Sequence, residues 1–537
     1  MTMQTSGHVD AFTRERLPAP ADWPDFRFDL PELAYPDRLN CAAELLDRNI
    51  ENGLGAKIAI YSAARDINWS GLRAEASRIA HVLVTDMGLV PGNRVLLHGY
   101  NSIELIAAWY GVLLAGGVAV MTMPLLRAGE LAKVIAKARV SHALCDATLA
   151  GAVREAVTLE PVLDRMLCWG PEGDLAARMA GKPGHFEAAD TARDDIALLA
   201  FTSGTTGDPK ACAHFHSSVL AMADTFGRSI LAPEPDEIYL GTPPFAFTFG
   251  LGACVVFPAR AGLAIALPDR PGFEALCETI QRHGVTTLFT APTGYRALMG
   301  LWGDYDLSSL RKGVSAGEHL PAATSEAFFE LSGIRLIDGI GATEMIHIFI
   351  SAAGADIRPG ATGKAVPGYQ ARVVDDHGEP LPDGEIGRLV VKGPTGCLYL
   401  DDARQKTYVQ NGWNITGDLY RRDAEGYFWY VSRADDLIVS SGYNIAGPEV
   451  EQALLLHETV LECAVVGAAD EERGTIVKAF IVLAEGHEGH EGHADLVKAL
   501  QDHVKTCIAP YKYPRAIEFV SALPKTQTGK IQRFKLR

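Results

Sequence analysis

Short, continuous apolar runs alternate along most of the chain with segments whose apolar positions recur every three or four residues. That is the pattern of strands buried on both faces, separated by amphipathic helices. Arg94-Val95-Leu96-Leu97-His98-Gly99 reads as a strand, with a helix beginning at Ser102. A helix containing Ala132–Ala138 leads into a short strand at Val140–Cys145, and Thr286-Thr287-Leu288-Phe289-Thr290 reads as another, stopped by Pro292. Such alternation predicts an α/β fold of βαβ units, with parallel sheets covered by helices on both faces. Leu105–Leu126 runs 22 residues without a charge, long enough to span a bilayer. Gly116-Gly117 interrupts it, however, and Val-Ala-Val-Met-Thr-Met follows before Pro124. The run therefore reads as a buried helix turning through glycine into a buried strand.

After about residue 362 the pattern changes. Gly363, Pro367, Gly368, Asp383-Gly384, Gly387, Gly393-Pro394 and Gly412 punctuate short β-rich runs such as Arg388-Leu389-Val390-Val391, which predicts a small antiparallel barrel or sandwich. Helices and strands mix again over the 103 residues Asp435–Arg537, the size of one small α+β domain. The expected division is thus a body of 1–432, a hinge beginning at 433–434 and a lid of 435–537. Within the last unit, Glu485–Ala494 carries His487, His490 and His493 between glycines, and reads as a solvated loop rather than a metal site.

Composition adds limits. At 537 residues the chain exceeds one compact core, and 48% hydrophobic residues with mean hydropathy +0.06 exclude disorder as the main state. Net charge is −17, which argues against a general nucleic-acid or anionic-membrane partner while leaving a local basic pocket open. Nine cysteines without a CxxC pair favour neither a disulfide framework nor a zinc site, and suit a reducing cytosol. The first residues, MTMQTSGHVDAFTRERLP, lack the apolar core of a secretory signal, so a cytoplasmic protein is expected, monomer or homodimer.

The strongest local motif is Thr202-Ser203-Gly204-Thr205-Thr206-Gly207-Asp208-Pro209-Lys210, after the apolar run Ile196–Phe201. Its glycines permit close backbone approach, and its hydroxyls and lysine offer donors to phosphate oxygens. It lacks the Walker A spacing. Downstream stand Asp338-Gly339-Ile340-Gly341-Ala342-Thr343-Glu344, Thr416-Gly417-Asp418, Ser432-Arg433-Ala434-Asp435-Asp436 and Pro524-Lys525-Thr526-Gln527-Thr528-Gly529-Lys530. In this order the five motifs resemble the adenylate-forming superfamily of acyl-CoA synthetases, adenylation domains and luciferases. DGIGATEMIHI at 338–348, PFAFTFGLG at 244–252 and the stretch Glu15–Asp47 are similar to benzoate and 2-aminobenzoate (anthranilate) CoA ligases.

The resemblance implies ATP, Mg²⁺ and coenzyme A as ligands, a small aromatic acid as substrate, and two half-reactions. In the first, a carboxylate attacks the α-phosphorus of ATP to give an acyl-adenylate and pyrophosphate; in the second, the CoA thiol displaces AMP. It implies that Lys530 bridges carboxylate and α-phosphate, that Thr343 contacts the α-phosphate, and that Glu344 is the Mg²⁺ ligand. Thr202, Ser203, Gly204, Thr205, Thr206, Gly207 and Lys210 would hold the outer phosphates. Gly317, Glu318, Asp338, Gly339 and Ile340 would contact nucleotide, and Asp418 and Arg433 the ribose. His216 matches a histidine near the phosphate loop, and His214 is read as structural. Asp435 would be the hinge, with Ser441, Gly442 and Tyr443 along the CoA tunnel. Ala246, Phe247, Thr248 and Phe249 would face Gly339, Ile340, Gly341, Ile346 and His347 across the acyl pocket. His347 has two readings, a satisfied core histidine or a contact to the substrate. Ala211, Ile340 and Val439 depart from the common pattern, replacing a glycine, an adenine-stacking tyrosine and a lysine.

A 2-aminobenzoate CoA ligase is the leading expectation. A benzoate or hydroxybenzoate ligase and a stand-alone adenylation enzyme loading a carrier protein are its rivals, and a non-catalytic nucleotide-binding module stands as a third class.

Overall fold

Five parallel strands and one antiparallel strand form a six-stranded sheet in the order Arg165–Trp169, His142–Asp146, Arg94–His98, Val118–Thr122, Ile196–Thr202 and Lys210–Phe215. The computed structural model to which it belongs describes residues 3–202, 208–440, 443–470, 474–486, 494–525 and 531–537. The uncharged run resolves as read: Ser102 caps the helix Ile103–Leu114 by accepting from the Leu105 N–H, and Gly116 at φ +75° turns the chain into Val118–Thr122. A side chain at Gly116 would combine that left-handed backbone with a Cβ 2.8 Å from Ala189 Cβ. Every residue of this helix except Glu104 is buried, as is the whole strand. Among the described residues no helix is long and apolar enough to cross a membrane.

A second sheet of nine strands runs Lys364–Ala365, Ile348–Ser351, Leu336–Gly341, Lys312–Ala316, Thr287–Thr290, Ile238–Gly241, Ala264–Leu267, Ile58–Ser62 and Ile67–Asn68. Its central pairings are parallel and its two margins antiparallel. Pro292, expected only to stop a strand, also opens the helix Pro292–Leu301, because its missing N–H is not needed in a first turn. The change in texture near 362 needs one correction. Lys364–Ala365 still belongs to the margin of the nine-stranded sheet, and the separate antiparallel sheet starts at Gln370–Val374. That sheet adds Ile386–Lys392, Trp413–Arg422, Val409–Gln410 and Phe428–Arg433. The strands from Ile438 onward join none of these sheets: Ile438–Ser440 pairs Tyr443–Ile445, and Val460–Asp470, Gly474–Leu483 and Ala516–Phe519 form a three-stranded sheet with helices Gly447–Leu455 and Ala494–Cys507. The fold is therefore the expected α/β body with an antiparallel sheet, followed by α+β structure.

One junction positions the site. The antiparallel strand Lys210–Phe215 is also hydrogen-bonded on its outer edge, the Ala213 N–H to the Leu398 carbonyl (2.8 Å) and the Leu400 N–H to the Ala211 carbonyl (2.9 Å). Cys212 thereby stands opposite Tyr399, and the first sheet is tied to the chain leading into the third.

Candidate active site

The nine-residue motif joins two antiparallel strands in register, with Thr202 opposite Lys210. Ser203, Gly204, Thr205, Thr206 and Gly207 lie outside the described residues. At the rims of the loop, the Thr202 hydroxyl is buried without a hydrogen-bond partner, which leaves a polar group for a ligand to satisfy. Lys210 reaches across to Tyr399, its Nζ donating to the phenolic oxygen at 3.0 Å and lying 5.0 Å from the ring centroid. The Tyr399 hydroxyl in turn donates to Glu344 Oε1, and Lys210 Nζ stands 3.7 Å from the same oxygen.

Glu344 sits in the turn Thr343–Met345 that follows the strand Leu336–Gly341. His214 holds this turn in place, its Nε2–H donating to the Thr343 carbonyl at 2.8 Å. His216, assigned near the phosphates, is fully buried at the start of the helix His216–Met222, where its Nδ1 accepts from the Cys41 N–H at 3.2 Å and lies 3.1 Å from the Cys41 thiol. Burial pushes it down to about 3, and its Nε2 has no hydrogen-bond partner. His214 and His216 are two apart but do not share a strand face, because His216 has already left the strand. His214 is the histidine that the strand presents to the Thr343–Glu344 turn.

The ribose-type pair forms across two strands of the third sheet, where Asp418 stands opposite Arg433 and Arg433 Nη1 donates to Asp418 Oδ1 at 3.1 Å. Gly417 at φ +80° allows the arginine to pass: its Cβ would lie 3.0 Å from Arg433 Nη2. Burial opposes the charged guanidinium, yet Asp418 and Asp435 hold its pKa above the ordinary value. Asp435 Oδ1 is 3.7 Å from Arg433 Nε. Asp338 shows the opposite environment. Burial raises its carboxyl well above the usual range, and its Oδ1 has no partner in a pocket lined by Leu320, Arg358, Gly360 and Thr362. Gly339 and Ile340 continue the same strand, pairing Ser351 and Ile350.

Gly317 turns the next loop at φ +90°, and Glu318 Oε1 accepts the Ile531 N–H at 3.2 Å. His319 stacks on Tyr430 at 5.0 Å and meets Gln452 Nε2 at 2.7 Å. Glu318 and His319 of this loop thus contact the C-terminal unit. Lys530, covalently next to Ile531, lies outside the described residues, as do Ser441 and Gly442; of Tyr443 only the backbone, in the strand Tyr443–Ile445, is described.

Of the residues expected along the acyl pocket, Phe249 meets His347. Phe247 precedes the short helix Thr248–Leu251, and Ala246 belongs to the turn before it, which Asn101 fixes by accepting from the Phe245 N–H (2.9 Å) and donating to the Pro243 carbonyl (3.1 Å). His347 lies among Phe226, Phe249 and Phe257, at ring-centroid distances of 5.4, 5.7 and 4.6 Å. Burial holds it down to about 3, against a small upward pull from the Phe249 backbone, and neither ring nitrogen has a hydrogen-bond partner. Backbone constraints aim it. Ile346 sits at φ +62°, unusual for a β-branched residue, Gly341 passes the His347 backbone so closely that its Cβ would meet it at 2.9 Å, and a Cβ at Gly252 would lie 2.4 Å from His347 Cδ2. The Phe249 backbone is a polar group that acts on the ring, and both readings of His347, a core histidine or a contact to the substrate, stay open.

Sequence reasoning missed Tyr399, Asn101 and the placement of His214. Each acts across a long sequence separation and belongs to no motif, so only strand register could have found them.

The AMP-binding enzyme family matches residues 46–398, and the AMP-binding enzyme C-terminal domain matches 449–530. A benzoate–CoA ligase of Thauera aromatica is 35% identical over 518 residues, covering 94% of this chain and 97% of the relative. Among solved structures, an anthranilate CoA ligase in complex with anthranoyl-AMP superposes with a TM-score of 0.89 at 35% identity, covering 95% of this chain and 98% of that one. A benzoate CoA ligase from Burkholderia xenovorans follows at 0.85 and 31%, covering 93% and 100%.

Proposed function

Because the chain belongs to the AMP-binding enzyme family, we propose that it is an AMP-forming aryl-CoA ligase, with 2-aminobenzoate as preferred acid and benzoate or a hydroxybenzoate as the alternative. The observation that carries this reading is the aromatic cluster of Phe226, Phe249 and Phe257 around His347, whose burial favours the neutral ring. A flat ring packs against aromatic walls of this kind better than a long flexible chain does.

Two anions must meet in the first half-reaction, so the residues act by neutralising charge and holding position. Lys210 leaves Tyr399 to meet the outer phosphates, while Thr202 satisfies its hydroxyl on them. Thr343 contacts the α-phosphate. Asp418 accepts from the ribose hydroxyls with Arg433 bracing it, and Asp338 faces the nucleotide. The Glu344 carboxylate is the hard oxygen donor suited to Mg²⁺, which when bound offsets charge on the polyphosphate. Lys530 would bring substrate carboxylate and α-phosphorus together. Rotation of the 435–537 unit about Asp435 would then withdraw it and admit the CoA thiol past Ser441–Tyr443.

The test is pyrophosphate release with benzoate, 2-aminobenzoate, salicylate, 4-hydroxybenzoate, cinnamate and a medium-chain fatty acid, followed by addition of CoA. Aryl acids are expected to turn over best and to appear as aryl-CoA without any carrier protein. A fatty acid as the best substrate sinks the aryl slot, and adenylate that loads only a phosphopantetheinyl carrier sinks the CoA reading.

His347→Phe separates the two acids. The variant keeps an aromatic ring but loses both nitrogens, so kcat/KM for 2-aminobenzoate is expected to fall about tenfold, the worth of roughly one hydrogen bond, while benzoate changes little. Equal losses for both acids would reduce His347 to packing.

A further inference from the structure

Tyr399 occupies a position that no motif marks. It is buried at 1% exposure, and its backbone is fixed twice: its N–H donates to Gln405 Oε1 at 2.8 Å, and it stands opposite Cys212 on the strand carrying Lys210. Its hydroxyl is thus delivered by the sheet to a point between a lysine and a glutamate, accepting from Lys210 Nζ at 3.0 Å and donating to Glu344 Oε1. The two charged ends are 3.7 Å apart. At that distance they already form a loose ion pair; without the hydroxyl between them they would close to contact distance, and each would be withdrawn from its own ligand.

We propose that Tyr399 is a positioning residue for the divalent cation and the polyphosphate: its hydroxyl keeps Lys210 and Glu344 close but separate, so that Glu344 presents a carboxylate oxygen to the cation while Lys210 is released to phosphate. This rests on the nucleotide-binding reading above, but not on the identity of the acid. With Oε1 committed to the tyrosine, Oε2 is the oxygen that the geometry offers. Groups that orient a ligating carboxylate from behind typically carry about tenfold to a hundredfold in metal affinity. The hydroxyl moves no proton and touches neither reacting atom.

Tyr399→Phe keeps the ring that Lys210 lies over and removes only the hydroxyl. The readout is binding rather than turnover: free Mn²⁺ measured by electron paramagnetic resonance in the presence of a non-hydrolysable ATP analogue, and analogue affinity measured in EDTA. In the variant, Mn²⁺ affinity of the analogue complex is expected to fall at least about tenfold, while the metal-free analogue affinity shifts by less than about threefold. Lys210→Met, which leaves the Tyr399–Glu344 bond in place, is expected to show the reverse pattern. Equal weakening with and without metal in Tyr399→Phe, or unchanged Mn²⁺ affinity, overturns the assignment. If the wild-type protein binds no Mn²⁺ with the analogue, the nucleotide reading itself fails, and that outcome is distinct from both. Should Tyr399→Phe lose its cooperative thermal transition, the Lys210→Met pattern decides alone: loss of Mn²⁺ affinity there contradicts the separate roles.

Discussion

Lys530→Ala is expected to lower carboxylate-dependent ATP–pyrophosphate exchange by about a thousandfold or more, the scale at which one positioned charge acts on a reaction between two anions. Nucleotide affinity should change far less, because Asp418 and Lys210 precede the expected hinge and Arg433 stands at its start, paired to Asp418. The second half-reaction, assayed by supplying aryl-adenylate and CoA, should survive within a few-fold, since the lysine has no part in thiol attack. The described residues on either side make the assignment physically reasonable. Ile531 donates its N–H to Glu318, in the loop that follows the strand Lys312–Ala316. On the other side, Lys525 Nζ is 2.7 Å from Glu462, which also lies 3.8 Å from Arg296. Both neighbours of the 526–530 segment are therefore anchored toward the residues of 296–319. Exchange at the wild-type rate in the alanine variant would falsify the lysine's role. Loss of both half-reactions together would mean that the substitution had damaged the unit as a whole.

Much of the fold was legible because parallel strands are buried on both faces and leave uninterrupted apolar runs. Arg94–His98, Val118–Thr122 and Thr287–Thr290 all appeared within a residue or two of where they were read. The texture change near 362 was visible in its glycines, but the two-residue strand Lys364–Ala365 was not, because its place is set by pairing with Ile348–Ser351 rather than by its own pattern. The same limit governs the site. Asp418 and Arg433 could be picked from motifs and do meet, since both stand on adjacent strands of one sheet. His214 and His216 could not be told apart by spacing. The choice depends on where Lys210–Phe215 ends, and the helix begins at His216, which turns that ring inward to Cys41. Tyr399 was invisible for a stronger reason: its partners Lys210 and Glu344 are 189 and 55 positions away. His347 marks the same limit: sequence leaves two readings open, and the fold adds the aromatic setting of Phe226, Phe249 and Phe257 without choosing between them.

Acidification should destabilise this protein steeply below neutrality. His216 and His347 are held down to about 3, and His98 and His319 to about 4, from an ordinary value of 6.5. In each case burial is the leading cause, and for His319 the Arg533 charge adds to it. A histidine whose folded pKa is depressed binds its proton first in the unfolded chain, so stability is full above 6.5 and falls as pH drops toward the folded value. Each such group contributes about 1.4 kcal/mol of loss per pH unit in that window. Two carboxyls act in the opposite sense: burial raises Asp338 and Asp194, so acidification favours the folded state through them. Through the four histidines stability falls between about pH 6.5 and pH 5, against the opposite pull of the two carboxyls. Urea unfolding at pH 7, 6 and 5 should show this as a falling midpoint at constant slope. His347→Phe should flatten the pH dependence by close to one proton, because phenylalanine has nothing to titrate. A midpoint that holds steady from pH 7 to pH 5 would contradict the burial of these imidazoles as neutral groups. With them would go the physical basis for a neutral hydrogen-bonding His347 in the aryl slot.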